Sequence, residues 1–231
     1  MVDAEKQKIA EFLDIAGDFL GNGYKSEPRE YNLNDAPAPA AYSGADSLEQ
    51  IAMEIKSCRS CPLCQKRLNA AAGEGVAEPL VMVIGEGPGE DEDKQGRPFV
   101  GKAGQLLDKM LDAIGLSRAT NCFIANVVKC RPPANRDPFP EETQACAHFL
   151  DRQITLLKPK FILIAGRIAA QTLLKTSEPV GKLRGKFFEL EKGGMRIPAL
   201  ATYHPAALLR SEDYKRPAWE DLKLFKSKID S

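Results

Sequence analysis

Three short apolar runs constrain this chain more than any other feature. PLVMVIGE (79–86), CFIANVVK (122–129) and KFILIAGR (160–167) are each bounded by polar or turn-forming residues. Runs of this length, apolar nearly throughout, read as strands buried on both faces. Helical spacing appears between them, near 101–115 and 140–157, and a third helix follows the last run to 175. Pro140, Glu141 and Glu142 open the second of these as a helix N-terminus does. KFFELEKGGMRIPALATYHP reads as a hairpin turning at Gly193-Gly194, and Trp219 to Ile229 as a closing helix. Apolar strands alternating with helices imply an α/β fold with a parallel sheet covered on both faces. Its working loops are then expected at the strand C-termini.

The first 47 residues follow a different pattern. Residues 3–20 carry Ile9, Phe12, Leu13, Ala16, Phe19 and Leu20 at helical spacing, and Gly21 and Gly23 end the run. A Pro- and Ala-rich stretch without periodicity follows and reads as a linker. Ser47 caps a short helix with the sequence LEQIAMEIKSC. The division expected is therefore an acidic arm, 1–47, and one domain, 48–231. Charge shows the same boundary. The 231 residues hold 32 Lys+Arg and 32 Asp+Glu, which excludes an overall basic nucleic-acid binder. Residues 1–47 carry 4 basic and 9 acidic side chains, so the remainder carries 28 and 23, a net of +5. No apolar run approaches the roughly 20 residues that cross a bilayer. The charged start MVDAEKQKIAEF lacks a signal-peptide core, and an intracellular, cytoplasmic, prokaryote-like protein is expected.

Six cysteines in such a chain point to metal, cluster or redox chemistry rather than structural disulfides. Cys58, Cys61 and Cys64 form C-x2-C-x2-C, Cys130 directly follows the second apolar run, and Cys146 lies 16 residues on. Thiolates at C-x2-C spacing reach one centre because the loop folds back, and two more near the ends of one loop complete a set of four. The spacing alone leaves zinc and [4Fe–4S] both open. Cys122, inside a strand, reads as a buried free thiol.

Gly85, Gly87 and Gly89 follow the first strand and let the backbone approach a ligand closely. The loop is neither G-x-G-x-x-G nor followed by G-K-[ST], and the four acids from Glu90 to Asp93 would repel a pyrophosphate. Glu86, a carboxylate directly after a buried strand, suits a general base or a water-positioning group. Phe99 is either a stacking platform or core. His204, after the strand IPALATY, falls at the expected active edge, whereas His148 lies within a helix.

Together, GEGPGEDED…GRPFVGKAGQLL, NVVKCRPP and HPAALLR, with C-x2-C ahead of them, resemble the iron–sulfur uracil-DNA glycosylases of family 4 over about residues 50–228. The resemblance implies a three-layer α/β/α fold with a four-stranded, mainly parallel central sheet. It implies a [4Fe–4S] cluster held by Cys58, Cys61, Cys130 and Cys146, and no role for Cys64 or Cys122. Gly85, Glu86 and Gly87 would form the uracil pocket, with Phe99 stacking on the base, Asn126 reading its edge and His204 at its O2. Glu92 would stand near C5 and exclude the thymine methyl. Leu208 or Leu209 would wedge into the gap left by the flipped base, and Arg210 would hold a phosphate.

The last motif departs from the commoner HPSPLLR. GEGPG points away from family 5, and GRPFVGKAG continues without the basic, His-containing insertion of the DNA-crosslinking relatives, so turnover is expected. The implied activity is a monofunctional glycosylase acting on uracil in single- or double-stranded DNA, as a monomer and without a membrane. The arm would dock on this domain or on a repair partner. The alternative from another class is a non-catalytic iron–sulfur or zinc protein that binds nucleic acid. Seven cations fall near the expected working loops: Lys94, Arg97, Lys102, Lys129, Arg131, Arg136 and Arg210.

Overall fold

The computed structural model describes residues 46–231, so the expected arm helix over 3–20 and its linker lie outside the described residues. The order of elements is α1 (Leu48–Ser57), β1 (Glu74–Gly75), β2 (Val81–Gly85), α2 (Glu90–Gln95), α3 (Lys102–Asp112), β3 (Cys122–Asn126), α4 (Pro140–Leu157), β4 (Phe161–Ala165), α5 (Arg167–Leu174), α6 (Val180–Leu183), β5 (Phe187–Lys192), β6 (Met195–Thr202), α7 (Pro205–Arg210) and α8 (Lys215–Ile229).

The three apolar runs are β2, β3 and β4, all but one of their residues buried. Alternate residues serve opposite faces. Met82 and Ile84 pack with Leu150 and Ile154 of α4 and Ala169 and Ala170 of α5. Val81 and Val83 pack with Leu107 and Leu111 of α3 and Leu222 and Phe225 of α8. Two helical layers therefore cover one sheet, and burying a side chain of this size contributes about 1.5–3 kcal/mol before entropy is counted.

Among the described residues the sheet has six strands in the order β1-β3-β2-β4-β6-β5, against the expected four. β3, β2, β4 and β6 are mutually parallel, while β1 and β5 pair antiparallel at the two edges. β5 is the first arm of the hairpin turning at Gly193 and Gly194, both with positive φ. β1 is only two residues long and carries no hydrophobic alternation, so periodicity could not reveal it. A further short helix, α2, replaces the expected continuous loop. Its first turn is Glu90, Asp91, Glu92 and Asp93, acids at the positive end of the helix dipole.

After β2 the chain crosses one face through α3 to β3, then returns across the other face through α4 to β4 on the far side of β2. The C-terminal end of β2 is thus a topological switch point, where parallel sheets open a crevice. A third, smaller core forms where Ile51 and Ile55 of α1 meet Val128, Cys130, Cys146 and Phe149. Arg152 of α4 fastens α1 there, reaching Glu54 and, at 2.7 Å, Asp46.

Candidate active site and cysteine pocket

Strand register brings the first two pocket residues together. Gly85, the last residue of β2, pairs directly with Asn126, the last of β3. The loops beyond stay paired: Val127 N–H donates to Gly85 O at 3.0 Å and Val128 N–H to Glu86 O at 3.1 Å. Asn126 is 1% exposed. Neither Nδ2 nor Oδ1 of its side chain has a hydrogen-bond partner, and these are the only such buried side-chain atoms among the described residues. An unmet buried amide costs about 1–3 kcal/mol, so a fold keeps one only where something else will meet it.

A Cβ built on Gly85 would lie 2.5 Å from Phe99 Cζ and 2.6 Å from Asn126 Oδ1, so glycine here leaves room for both side chains. Phe99 is buried and its backbone has φ +52, a strained value for a phenylalanine. Its surroundings hold it there from three sides. Arg118 donates to Pro98 O at 3.0 Å and Phe99 O at 2.8 Å. Glu92 Oε1 accepts from Val100 N–H at 2.8 Å and Gly101 N–H at 2.9 Å. Gly104 lets α3 approach so closely that a Cβ would lie 2.0 Å from the Phe99 carbonyl.

The Phe99 ring stacks on His204, with 5.4 Å between centroids and 29° between planes. His204 caps α7, its Nδ1 accepting from Ala206 N–H at 3.2 Å. Burial, together with the Arg210 charge, pushes its pKa down to about 4. The ring is therefore neutral at pH 7, and because Nδ1 accepts, its proton sits on Nε2. Gly166, with φ +97 at the end of β4, makes room for His204: a Cβ there would lie 2.8 Å from the histidine Cβ.

Glu86 is partly buried beside this group. Burial and the nearby Asp137 carboxylate raise its pKa to about 7, against the opposing pull of Arg167 and Arg210. Four strand ends thus supply one site with an unpaired amide, a neutral imidazole donor, a stacking ring and a carboxylate that titrates near neutrality.

A second assembly lies behind it. Cys58, Cys61, Cys64, Cys130 and Cys146 line one pocket, with Arg67 and Lys129 on its wall. All six cysteines of the chain are free. Burial pushes the Cys130 thiol up to about 11, opposed by Arg67, whose Nη1 donates to Cys130 Sγ at 2.8 Å. The other arm of that guanidinium donates to Lys56 O at 2.7 Å and Cys58 O at 3.0 Å. Among the described residues no three His, Cys, Asp or Glu side chains are grouped so as to hold a metal ion.

Residues 72–223 match the family model of the uracil DNA glycosylase superfamily. A "Type-4 uracil-DNA glycosylase" of Saccharolobus solfataricus is 44% identical over 80% of this chain and 88% of its own. The chain belongs to the uracil-DNA glycosylase superfamily, in its type-4 branch. Proteins of the same description from Sulfurisphaera tokodaii, 45% identical over 77% of this chain and 83% of theirs, and Thermotoga maritima, 41% over 81% and 97%, agree.

Within this type-4 family member, the structure redistributes several expected roles. Leu208 is not available as a wedge: it is 4% exposed and packs in the core beneath α7, whereas Leu209, one residue round the helix, is 53% exposed. Glu92 clamps its own loop, its carboxylate accepting from Gly89 N–H at 3.1 Å as well as from Val100 and Gly101. Lys129 is no DNA contact. It is 1% exposed, and its Nζ donates to Asn126 O at 2.9 Å and Gln153 Oε1 at 2.7 Å, fixing the strand end that carries the amide. Arg97, Arg136 and Lys94 are engaged by Glu74, Glu142 and Glu90.

Cys64, given no role, faces the same pocket as the other four cysteines, while Cys122 lies away from it as a buried thiol pushed to about 12 by burial. His148 is exposed on α4, with its Nδ1 3.1 Å from Ala145 O and its ring against Phe149. Three residues escaped the sequence reading: Arg67, Asp137 and Arg167. Arg167 had a signal, standing directly after a glycine at a strand C-terminus, and the other two had none.

Proposed function

We propose that this chain is a monofunctional uracil-DNA glycosylase, and the unpaired amide of Asn126 is the observation that carries the reading. Uracil presents an N3–H donor beside an O4 acceptor, and a primary amide matches both: Oδ1 accepts the N3 proton while Nδ2 donates to O4. Cytosine offers the reverse pattern and leaves the same buried atoms unmet, which rejects it. The base must leave the helix stack to reach them.

Phe99 supports the flipped base by stacking. As the C1′–N1 bond breaks, its electron pair departs with the base and charge gathers on O2. The Nε2–H of neutral His204 donates to that oxygen and stabilises the charge as it forms. Ionised Glu86 takes a proton from the water whose oxygen bonds to C1′, and its negative charge favours the cationic sugar. The departing uracil anion takes up a proton from solvent and Glu86 gives its own back there, so the products are free uracil and an abasic site, which base excision repair continues from.

We further assign Cys58, Cys61, Cys130 and Cys146 as ligands of a [4Fe–4S] cluster. The donor set fits: soft thiols converge on one cavity, and two cations, Arg67 and Lys129, stand on its wall without a carboxylate partner among the described residues. In a single-zinc site thiolates stand about 3.8 Å apart. A four-iron cluster is wider and suits thiols that do not group round one ion. Its contribution is structural, tying α1 and the segment after it to the loop between β3 and α4.

Residues 48–231 form the catalytic domain, with 1–47 a separate arm that docks on it or on a repair partner. No helix among the described residues is long and apolar enough to cross a membrane, and we place the protein in the cytoplasm as a monomer. Release of free uracil from uracil-containing single- and double-stranded oligonucleotides by the as-purified protein tests the activity. Equal release by His204→Ala, or none by the wild type, overturns it. Absorbance in the iron–sulfur region with iron and sulfide analysis tests the cluster, and zinc alone in anaerobically prepared protein would contradict it.

A further inference from the structure

The loop joining β3 to α4 carries an aromatic side chain that no core claims. Phe139 is 54% exposed and belongs to none of the three hydrophobic clusters. A single exposed apolar residue is ordinary. What distinguishes this one is how rigidly it is presented. The Arg136 guanidinium carbon lies 3.8 Å from the ring centroid and covers one face. That guanidinium is fixed by Glu142 through two bonds of 2.8 and 2.7 Å, and the same carboxylate accepts Phe139 N–H at 2.8 Å. Pro138 and Pro140 stiffen the backbone on either side. Among the described residues Arg136 is the cation over this ring, and more than half of the residue stays exposed.

The position of the loop ties this ring to the reaction site. Asp137 Oδ2 lies 2.5 Å from Arg167 Nη2. Arg167 follows Gly166, the glycine that makes room for His204, and both Asp137 and Arg167 act on the charge of Glu86. Two residues from a group that feels the general base stands a preset, exposed aromatic ring.

We propose that Phe139, backed by Arg136, is a stacking platform for a nucleobase next to the uracil in the substrate strand, a contact additional to Leu209 and Arg210. This rests on the glycosylase reading. Any base has a π-face, so the platform is tolerant of sequence and strongest on single strands, where neighbouring bases are already unstacked. Arg136 is neutralised by Glu142, so the contact works by stacking and not by phosphate charge.

The test is fluorescence anisotropy of the full, as-purified protein on a labelled single-stranded oligonucleotide carrying a tetrahydrofuran abasic analogue, titrated at several salt concentrations. Phe139→Ala is expected to weaken binding about five- to tenfold, while Phe139→Trp retains it. The salt dependence should not change, whereas Arg210→Ala should flatten it. Inhibition by free uracil should match the wild type, because the pocket is untouched. Should Phe139→Ala fail to fold, Phe139→Leu keeps apolar bulk without a ring and is expected to show the same loss. Unchanged affinity in whichever variant folds, a changed salt slope, or altered uracil inhibition would each overturn the platform. A wild type that releases no uracil defeats the glycosylase reading instead, whatever Phe139 does.

Discussion

A side-chain carbon on Gly85 would sit 2.6 Å from Oδ1 of Asn126, its register partner across the β2–β3 pair. The glycine thus reserves the space around the amide that we propose reads the base. Gly85→Ala, whose φ allows a Cβ, is expected to keep the fold but push Phe99 and Asn126 out of place. Uracil release should fall at least about 100-fold, as a 1 Å misplacement costs, while circular dichroism stays native. Full activity in this variant would remove Gly85 from the pocket.

Asn126→Ala should separate function from stability. It deletes an amide that has no partner in the free protein, so the melting temperature is expected to hold or rise. Activity on uracil should fall by about 10⁴ because the base's own N3–H and O4 then lose their partners. A variant that melts markedly lower, with activity lost in proportion, would make Asn126 structural.

The pH profile follows from two shifted groups. Glu86, the proposed base, acts when ionised, and burial with Asp137 raises its pKa to about 7, so kcat/KM is expected to rise with pH through neutrality. His204, at about 4, is neutral across that range and adds no limb above pH 5. A folded pKa above the unfolded value also means that the native state binds the extra proton. Glu86 therefore costs stability as pH rises from about 4.5 to 7. Glu86→Gln should flatten the profile, lower the rate and raise the melting temperature at pH 8 by about 2–4 °C. A profile unchanged by this substitution would exclude Glu86 as the base.

Serine at Cys58, Cys61, Cys130 or Cys146 is expected to abolish iron and sulfide content, whereas Cys122→Ser should leave both intact. Arg67 bridges the two halves of the proposed ligand set, from Cys58 O to Cys130 Sγ. Arg67→Gln should lose iron in air several-fold faster than the wild type, read as decay of visible absorbance. Equal decay would assign Arg67 to the fold alone.

Leu208 and Leu209 are neighbours with opposite fates. Leu208→Ala opens the core beneath α7 and is expected to cost about 2–5 kcal/mol of stability. Leu209→Ala should leave stability unchanged and slow uracil release from duplex more than from single strands, since only a duplex must be held open. Reversed phenotypes in denaturant melts and release assays would refute the assignment.

The chain's local chemistry determined its elements and the kinds of residue at its site. Apolar runs set β2, β3 and β4, paired glycines set the hairpin turn, Pro140 with its acids opened α4, and motif order alone pointed to Glu86, Asn126 and His204. Periodicity and turn chemistry act over a few residues, and so they reached that far. Tertiary structure decided what depends on residues distant in sequence. It buried Leu208 and Lys129, spent the Glu92 carboxylate on its loop, turned Cys64 toward the cysteine pocket, and placed Arg67 on Cys130 from 63 residues away. It also left Asn126 without a partner. Local pattern cannot report that absence, because an unmet donor or acceptor is a property of everything packed around it.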